Sequence, residues 1–157
     1  SSGAGAISQP YYSSLSTIAT ANGTITDPVV RDNLMKLYAM ETTKAMVAMR
    51  NRAEMKAGKT PGPGGSLGKL MGSNIAWFYR SIALEIAGPG AVAWEPDDHA
   101  TSLFNKQMLN TFQSGIAGGT DEIQRNIIGD RVLGLPREPS VDTAVPFRDL
   151  KVGTQRS

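Results

Sequence analysis

The stretch GGTDEIQRNIIGDRVLGLPRE, residues 118–138, decides how this chain is read, because it carries a whole helix with its start and stop signals. Gly118 and Gly119 can take backbone angles closed to other residues and let another molecule come close to the main chain. Thr120 is suited to cap a helix, its hydroxyl oxygen accepting from the orphan amides of the first turn. Asp121 and Glu122 then place negative charge where the helix dipole favours it, and Arg131 near the other end completes the asymmetry. Ile123, Ile127 and Ile128 recur at the spacing of one buried face. Gly134 supplies a left-handed stop and Pro136 prevents continuation, so the spacing predicts a helix over residues 120–133. On the residues alone an ordinary capped surface helix is the stronger reading, and a turn that meets a ligand stays open beside it.

The same stretch resembles the acyl-CoA dehydrogenases. The last long helix of that family opens with a Glu-Gly-Thr-x-x-Ile-Gln-Arg pattern, and many members continue into Leu-Gly-Leu-Pro-Arg/Lys-Glu. Gly119, Thr120, Ile123, Gln124 and Arg125 match the first pattern and residues 133–138 the second. A run of this length in register is far more specific than a lone glycine motif. The resemblance implies an all-α fold, an antiparallel up-and-down helix bundle like the C-terminal domain of these enzymes. It implies FAD as cofactor, an acyl-CoA thioester as substrate undergoing α,β-dehydrogenation, and electron-transferring flavoprotein as the partner that reoxidises the flavin. A homodimer or homotetramer is implied too, or a hetero-oligomer with a homologous subunit. Carried onto this chain, the pattern puts Gly119 beside the thioester and the main chain of Thr120, Asp121 and Glu122 near the flavin.

Two departures from the family pattern bear on the chemistry. In many members the residue before the Gly-Thr pair is the glutamate that removes the α-proton, and here it is Gly118, which cannot be a base. Either the base lies on an earlier helix encoded upstream of Ser1, or a partner subunit supplies it and this chain is a non-catalytic structural subunit, or the activity is lost. Glu122 sits four residues further on, in the first helical turn, and points elsewhere; no catalytic residue is expected in this chain. The second departure lies where members often carry Gln-x-x-Gly-Gly, whose backbone meets the FAD of the neighbouring subunit. The aligned residues are Glu85, Ile86, Ala87, Gly88 and Pro89. Proline removes an amide donor and a carboxylate repels phosphate, so this cofactor contact is altered or weak, with a plain helix end as the other reading. The Arg-x-x-Phe-Gly signature that grips the partner's flavin pyrophosphate in the family is also missing near the N-terminus.

Composition bounds the remaining possibilities. A chain of 157 residues, 40% hydrophobic, is material for one domain, about half of what such an enzyme needs, and reads as a fragment. Residues 1–26 are expected to be a loop or short helix left from the link to upstream domains, 27–138 the helical bundle, and 139–157 a polar tail. The formal charge of +2 comes from 16 basic and 14 acidic residues without a block of one sign, which argues against nucleic acid. No apolar run reaches membrane-spanning length and no leader pattern opens the chain, so the cytosol is the expected location and no membrane contact is expected. With no cysteine there is neither a disulfide scaffold nor a thiolate nucleophile, and the single histidine, His99, cannot form a zinc cluster alone.

Upstream of the deciding stretch, Asp27 and Pro28 start a helix on which Val30, Leu34, Leu37, Glu41, Lys44 or Ala45, and Ala48 share a face, reaching Lys56. Methionines 35, 40, 46, 49 and 55 ride on it, and filling the core is their stronger reading over a pliable acyl-binding surface. GKTPGPGGS, residues 58–66, is a turn between antiparallel helices. It resembles a phosphate loop only superficially, since no strand precedes it and Lys69 does not follow its last glycine. Ser66 starts a second long helix marked by Leu70, Ile75 or Asn74, Phe78, Ile82 and Ile86, with Gly68 and Gly72 permitting close approach and GPG at 88–90 ending it. A shorter helix is expected over residues 98–111. Trp94 and His99 are candidates for lining a ligand groove, though cover for the core is the stronger reading. Three long helices joined by glycine-proline turns make an antiparallel bundle whose fourth helix is expected from upstream residues.

Overall fold

A computed structural model describes residues 9–59, 62–92, 99–137 and 145–150. The described residues form five α-helices and no strand: α1 (Pro10–Ala21), α2 (Pro28–Lys56), α3 (Gly64–Ala87), α4 (His99–Ser114) and α5 (Asp121–Arg131). The all-α bundle is thus the fold, and α3 is its hub, packed against each of the other four helices. Trp94 lies outside the described residues, and of His99 only its place at the start of α4 is described.

α2 and α3 start for local reasons. Asp27 accepts from the amide of Val29 at 2.7 Å and Pro28 fills the first turn of α2, where its missing N–H costs nothing. α3 begins at Gly64, two residues before the apolar period does, because Pro63 ahead of it offers a carbonyl to the amides of Ser66 and Leu67. α4 runs three residues past the expected end at Thr111, to Ser114.

The core lies where α1, α2, α3 and α4 converge. Leu15, Leu34, Leu37, Tyr79 and Ile86 are wholly enclosed there, each apolar side chain of this size contributing about 1.5–3 kcal/mol on burial. α1 takes part in that core with Leu15 and Ala19, so the chain itself supplies the fourth helix that the sequence pattern leaves to upstream residues. What fixes α1 is a carboxylate. Glu41, on the core face of α2, accepts from the amides of Tyr11 at 3.1 Å and Tyr12 at 2.9 Å, two of the orphan donors at the start of α1. A glutamate in an apolar period is thereby explained: it caps a helix from outside. At the far end of α1, Asn22 donates to the carbonyl of Ile86 at 2.7 Å and ties α1 to the last turn of α3.

The methionines of α2 are a correction to the sequence reading. Met35, Met46, Met49 and Met55 are about half exposed, and only Met40 packs against the core. α2 has 29 residues, but its buried positions stop at Glu41, so the C-terminal half runs past the core and its methionines have nothing to fill. No helix of the described residues is long and apolar enough to cross a membrane, and among them no group of three or more potential metal ligands forms.

Candidate functional site

The glycine turn and the first turn of α5 are held by polar contacts to α3. Thr120 caps α5, its hydroxyl accepting from the amide of Ile123 at 3.4 Å. The carboxylate of Asp121 turns back toward α3, where Lys69 donates to Oδ1 at 2.8 Å and Ser73 to Oδ2 at 2.6 Å. Desolvation pushes this carboxyl up, but the hydrogen bonds from Lys69 and Ser73 and the charges of Lys69 and Arg125 outweigh it and hold the acid below its usual range. The Asp121 amide donates to the carbonyl of Gly115 at 3.2 Å, closing the turn on itself. Gly115 lies against Trp77 and Asp121, where a Cβ would make ordinary contacts at 3.4 Å with Nε1 of Trp77 and 3.6 Å with Oδ2 of Asp121.

Gln124 braces the turn from beneath. It is 6% exposed, its Nε2 donates to the carbonyl of Gly118 at 2.8 Å, and its Oε1 is buried without a partner. Gly118 and Gly119 both have positive φ, 72° and 91°, and a Cβ at Gly119 would fall 2.9 Å from Nε2 of Gln124. Both glycines are therefore demanded by the backbone, and at Gly119 by contact as well. No acceptor among the described residues meets the amides of Gly118, Gly119 and Thr120, which leaves three donors at the surface of the turn.

Glu122 is exposed and occupied locally. Its own amide first, and then the Thr120 hydroxyl, hold its carboxyl below the ordinary glutamate value, with Arg125 adding a contact at 3.5 Å. A carboxylate so stabilised is a weaker proton acceptor than a free one, which removes it further from the role of base.

α5 itself corrects the sequence reading in one respect. Its buried residues are Asp121 and Gln124, while Ile123 is half exposed and Ile127 and Ile128 are only partly covered. Only Ile123 of the expected apolar face lies outward; the ion pair and the glutamine contact centre the buried side on Asp121 and Gln124, with Ile127 and Ile128 partly covered at its edge. The helix closes at Arg131, two residues short of the expected end. The amides of Val132 and Leu133 satisfy the carbonyl of Ile128, and Gly134 takes its left-handed φ of 65° beyond them.

At the end of α3 the expected cofactor contacts sit differently from those at the turn. Ile86 is wholly buried, and its carbonyl accepts from Asn22. The Gly88 amide is spent on Leu84 at 2.9 Å, and Pro89 has none to give. Glu85 is exposed at the rim. Gly88, with φ of 75° and open space where a Cβ would go, still allows close approach of another molecule. Of the predicted residues, the fold gathers Gly118, Gly119, Thr120, Asp121 and Glu122 at one place and Glu85, Gly88 and Pro89 at another. It adds Lys69, Ser73, Gly115 and Gln124 to the first group, which the sequence reading missed. Lys69 and Asp121 are 52 positions apart, and no local signal joins them. Between α3 and α4, Arg80 lies across Trp77 at 3.8 Å and Phe112 at 4.0 Å, its Nη1 buried and unpartnered.

A capped helix entered through a glycine pair, set on the hub of an all-α bundle, defines the class to which the comparisons point. The family model described as "Acyl-CoA dehydrogenase, C-terminal domain" matches residues 13–133, and the chain belongs to the acyl-CoA dehydrogenase family. It is 34% identical over 131 residues to acyl-CoA dehydrogenase IpdE1 of Mycobacterium tuberculosis, covering 80% of this chain and 32% of that protein. It is 31% identical over 128 residues to acyl-CoA dehydrogenase IpdE1 of Mycolicibacterium smegmatis, covering 81% and 31%. Acyl-CoA dehydrogenase FadE34 of Mycobacterium tuberculosis is 29% identical over 111 residues, covering 71% and 15%. The chain thus spans about a third of the length of the first two relatives. No solved structure matches it.

Proposed function

We propose that this chain is the C-terminal domain of a flavin-dependent acyl-CoA dehydrogenase, contributing to FAD binding and to oligomer assembly while the catalytic carboxylate comes from outside it. FAD, when bound, supplies the acceptor for hydride from the β-carbon of an acyl-CoA whose α-proton a carboxylate takes. The observation that carries the reading is the turn at 118–120, with three unengaged amides, a glycine main chain that another molecule can approach, and a rigid mount on α3. Those donors suit the carbonyl oxygens of a flavin ring or a thioester. Gly119 is the residue of the turn assigned to the thioester, and the main chain of Thr120 through Glu122 is assigned to the flavin. The Asp121 side chain has no part in this, being directed at Lys69 and Ser73.

The end of α3 fits an anionic cofactor poorly. Its amides are spent or absent, and Glu85 brings negative charge, so Gly88 and Pro89 would offer the flavin's pyrophosphate surface contact and no hydrogen bond. Phosphate recognition is accordingly assigned to residues outside this chain. Gly118 favours a second reading, a non-catalytic structural subunit completing the flavin pocket of an active homologous partner. Electron-transferring flavoprotein is the proposed oxidant in either case.

The two readings separate in one experiment. The complete gene product, alone and with a co-encoded homologue, is mixed anaerobically with a panel of acyl-CoAs while the flavin's visible band is followed. Bleaching by the protein alone places the base upstream on the same polypeptide; bleaching only with the homologue identifies the supporting subunit. Flavin that stays oxidised with every substrate refutes both.

A further inference from the structure

The contact between Lys69 and Asp121 does more than join two helices. Lys69 leaves the second turn of α3 and Ser73 lies one turn further along the same face, so the two donors straddle the Asp121 carboxylate. The side chains are 18% and 12% exposed, which screens the pair from water and keeps its geometry tight. Asp121 is the first residue of α5, and its amide is bound to Gly115 at the other end of the loop. Only Gly118, Gly119 and Thr120 then separate the anchored residue from the segment 115–117. Gln124, one helical turn on, fixes the carbonyl of Gly118. The turn of residues 118–120 is thus tied at both ends, through Asp121 to α3 and through the Gly118 carbonyl to Gln124.

We infer that Lys69, Ser73 and Asp121, together with Gln124, are positioning residues that set where the Gly118–Thr120 turn presents its amides, so that the geometry of the turn is dictated from α3. This rests on the proposed role of the turn in an acyl-CoA dehydrogenase. Asp121 thereby moves from candidate cofactor ligand to anchor. Its carboxylate acts on the site only by fixing the main chain to which it belongs.

The test uses the full-length protein with its flavin and four variants: Asp121→Asn, Lys69→Met, Lys69→Arg and Ser73→Ala. At saturating acyl-CoA the rate of flavin bleaching falls about tenfold or more in Asp121→Asn and Lys69→Met, the scale expected when reacting groups are displaced by a fraction of an ångström. The dissociation constant for acyl-CoA changes much less, and Lys69→Arg recovers most of the rate. Ser73→Ala, the mildest change, gives the same pattern at smaller size and covers the case in which a charge variant fails to fold. Hydrogen exchange supplies a readout that needs no turnover: amides of residues 115–124 exchange faster in Asp121→Asn while those of α1 and α2 do not. Wild-type bleaching rates together with wild-type exchange at 115–124 in the folded variants overturn the inference. If no acyl-CoA bleaches the flavin of the wild-type protein, either alone or with the homologue, the functional reading falls separately, and exchange at 115–124 alone decides the positioning role.

Discussion

Lys69 Nζ lies 2.8 Å from Oδ1 of Asp121, linking the hub helix of the bundle to the first residue of its last helix. The pair is shielded on both sides, so removing one partner strands the other. Asp121→Asn is expected to destabilise the domain by about 1–3 kcal/mol, the usual cost of leaving a buried polar group unsatisfied. The effect depends on pH. The folded carboxyl is held below its ordinary value of 3.8, so its contribution is present above that value and is lost as pH falls through 3.8 toward the lower folded value. Thermal unfolding of wild type and Asp121→Asn should differ most near neutral pH and converge in acid. A gap that stays constant from pH 7 to pH 3 would show that the charge contributes nothing.

Glu41 caps α1 through two amides, and glutamine offers only one acceptor in its place. Glu41→Gln should cost about 1–3 kcal/mol and, more tellingly, speed hydrogen exchange across the first turn of α1. Unchanged protection of Tyr11 and Tyr12 would mean that core packing and the Asn22 tie to Ile86 hold the helix without this cap.

The two faces of α2 are expected to respond very differently to truncation. Leu37 is fully enclosed, and Leu37→Ala should lose about 2–5 kcal/mol through lost transfer energy and a residual cavity. Met49 is half exposed, and Met49→Ala should stay within about 0.5 kcal/mol. Urea midpoints of the two variants measure the contrast directly. Comparable losses would mean that another part of the protein covers the outer half of α2.

At Gly118 the φ of 72° penalises any side chain, yet a Cβ there meets nothing within 4 Å. Gly118→Glu should therefore fold with a loss of about 1–2 kcal/mol from backbone strain. If the base is supplied from elsewhere, as proposed, it should not increase acyl-CoA-dependent flavin bleaching. A tenfold rise would place the missing proton acceptor at this turn.

What was legible in the sequence was punctuation and family pattern. Asp27 and Pro28, Thr120, Gly134 and the glycine-proline turn at 58–66 are local signals, and each helix start or stop they mark lies within a few residues of its place in the structure. The all-α bundle followed from those signals and from the family resemblance. Burial was less legible, because a helical period names a face without saying what will cover it. The period of Ile123, Ile127 and Ile128 marks an inward face, but the Lys69 and Ser73 contacts, 52 and 48 positions away in sequence, centre the buried side on Asp121 and Gln124, leaving Ile123 outside and Ile127 and Ile128 only partly covered. The methionines of α2 were misplaced for related reasons: Met35 lies on the outer face, and Met46, Met49 and Met55 lie where the helix outruns the core, whose end its length does not mark. Lys69 and Ser73 were invisible as parts of the site because only the packed fold brings them to the glycine turn, whereas Gln124, six residues from Gly118, stood in the family pattern with no sign of its contact.

The proposed function requires that this bundle belong to a working flavin site for acyl-CoA oxidation. The most direct measurement is anaerobic titration of the complete flavin-loaded gene product, with and without a co-encoded homologue, against acyl-CoAs of varied chain length and shape. The account predicts that at least one acyl-CoA bleaches the flavin's visible band, in the protein alone or in the mixed assembly. Flavin that remains oxidised in both, while a chemical reductant still bleaches it, would contradict the account.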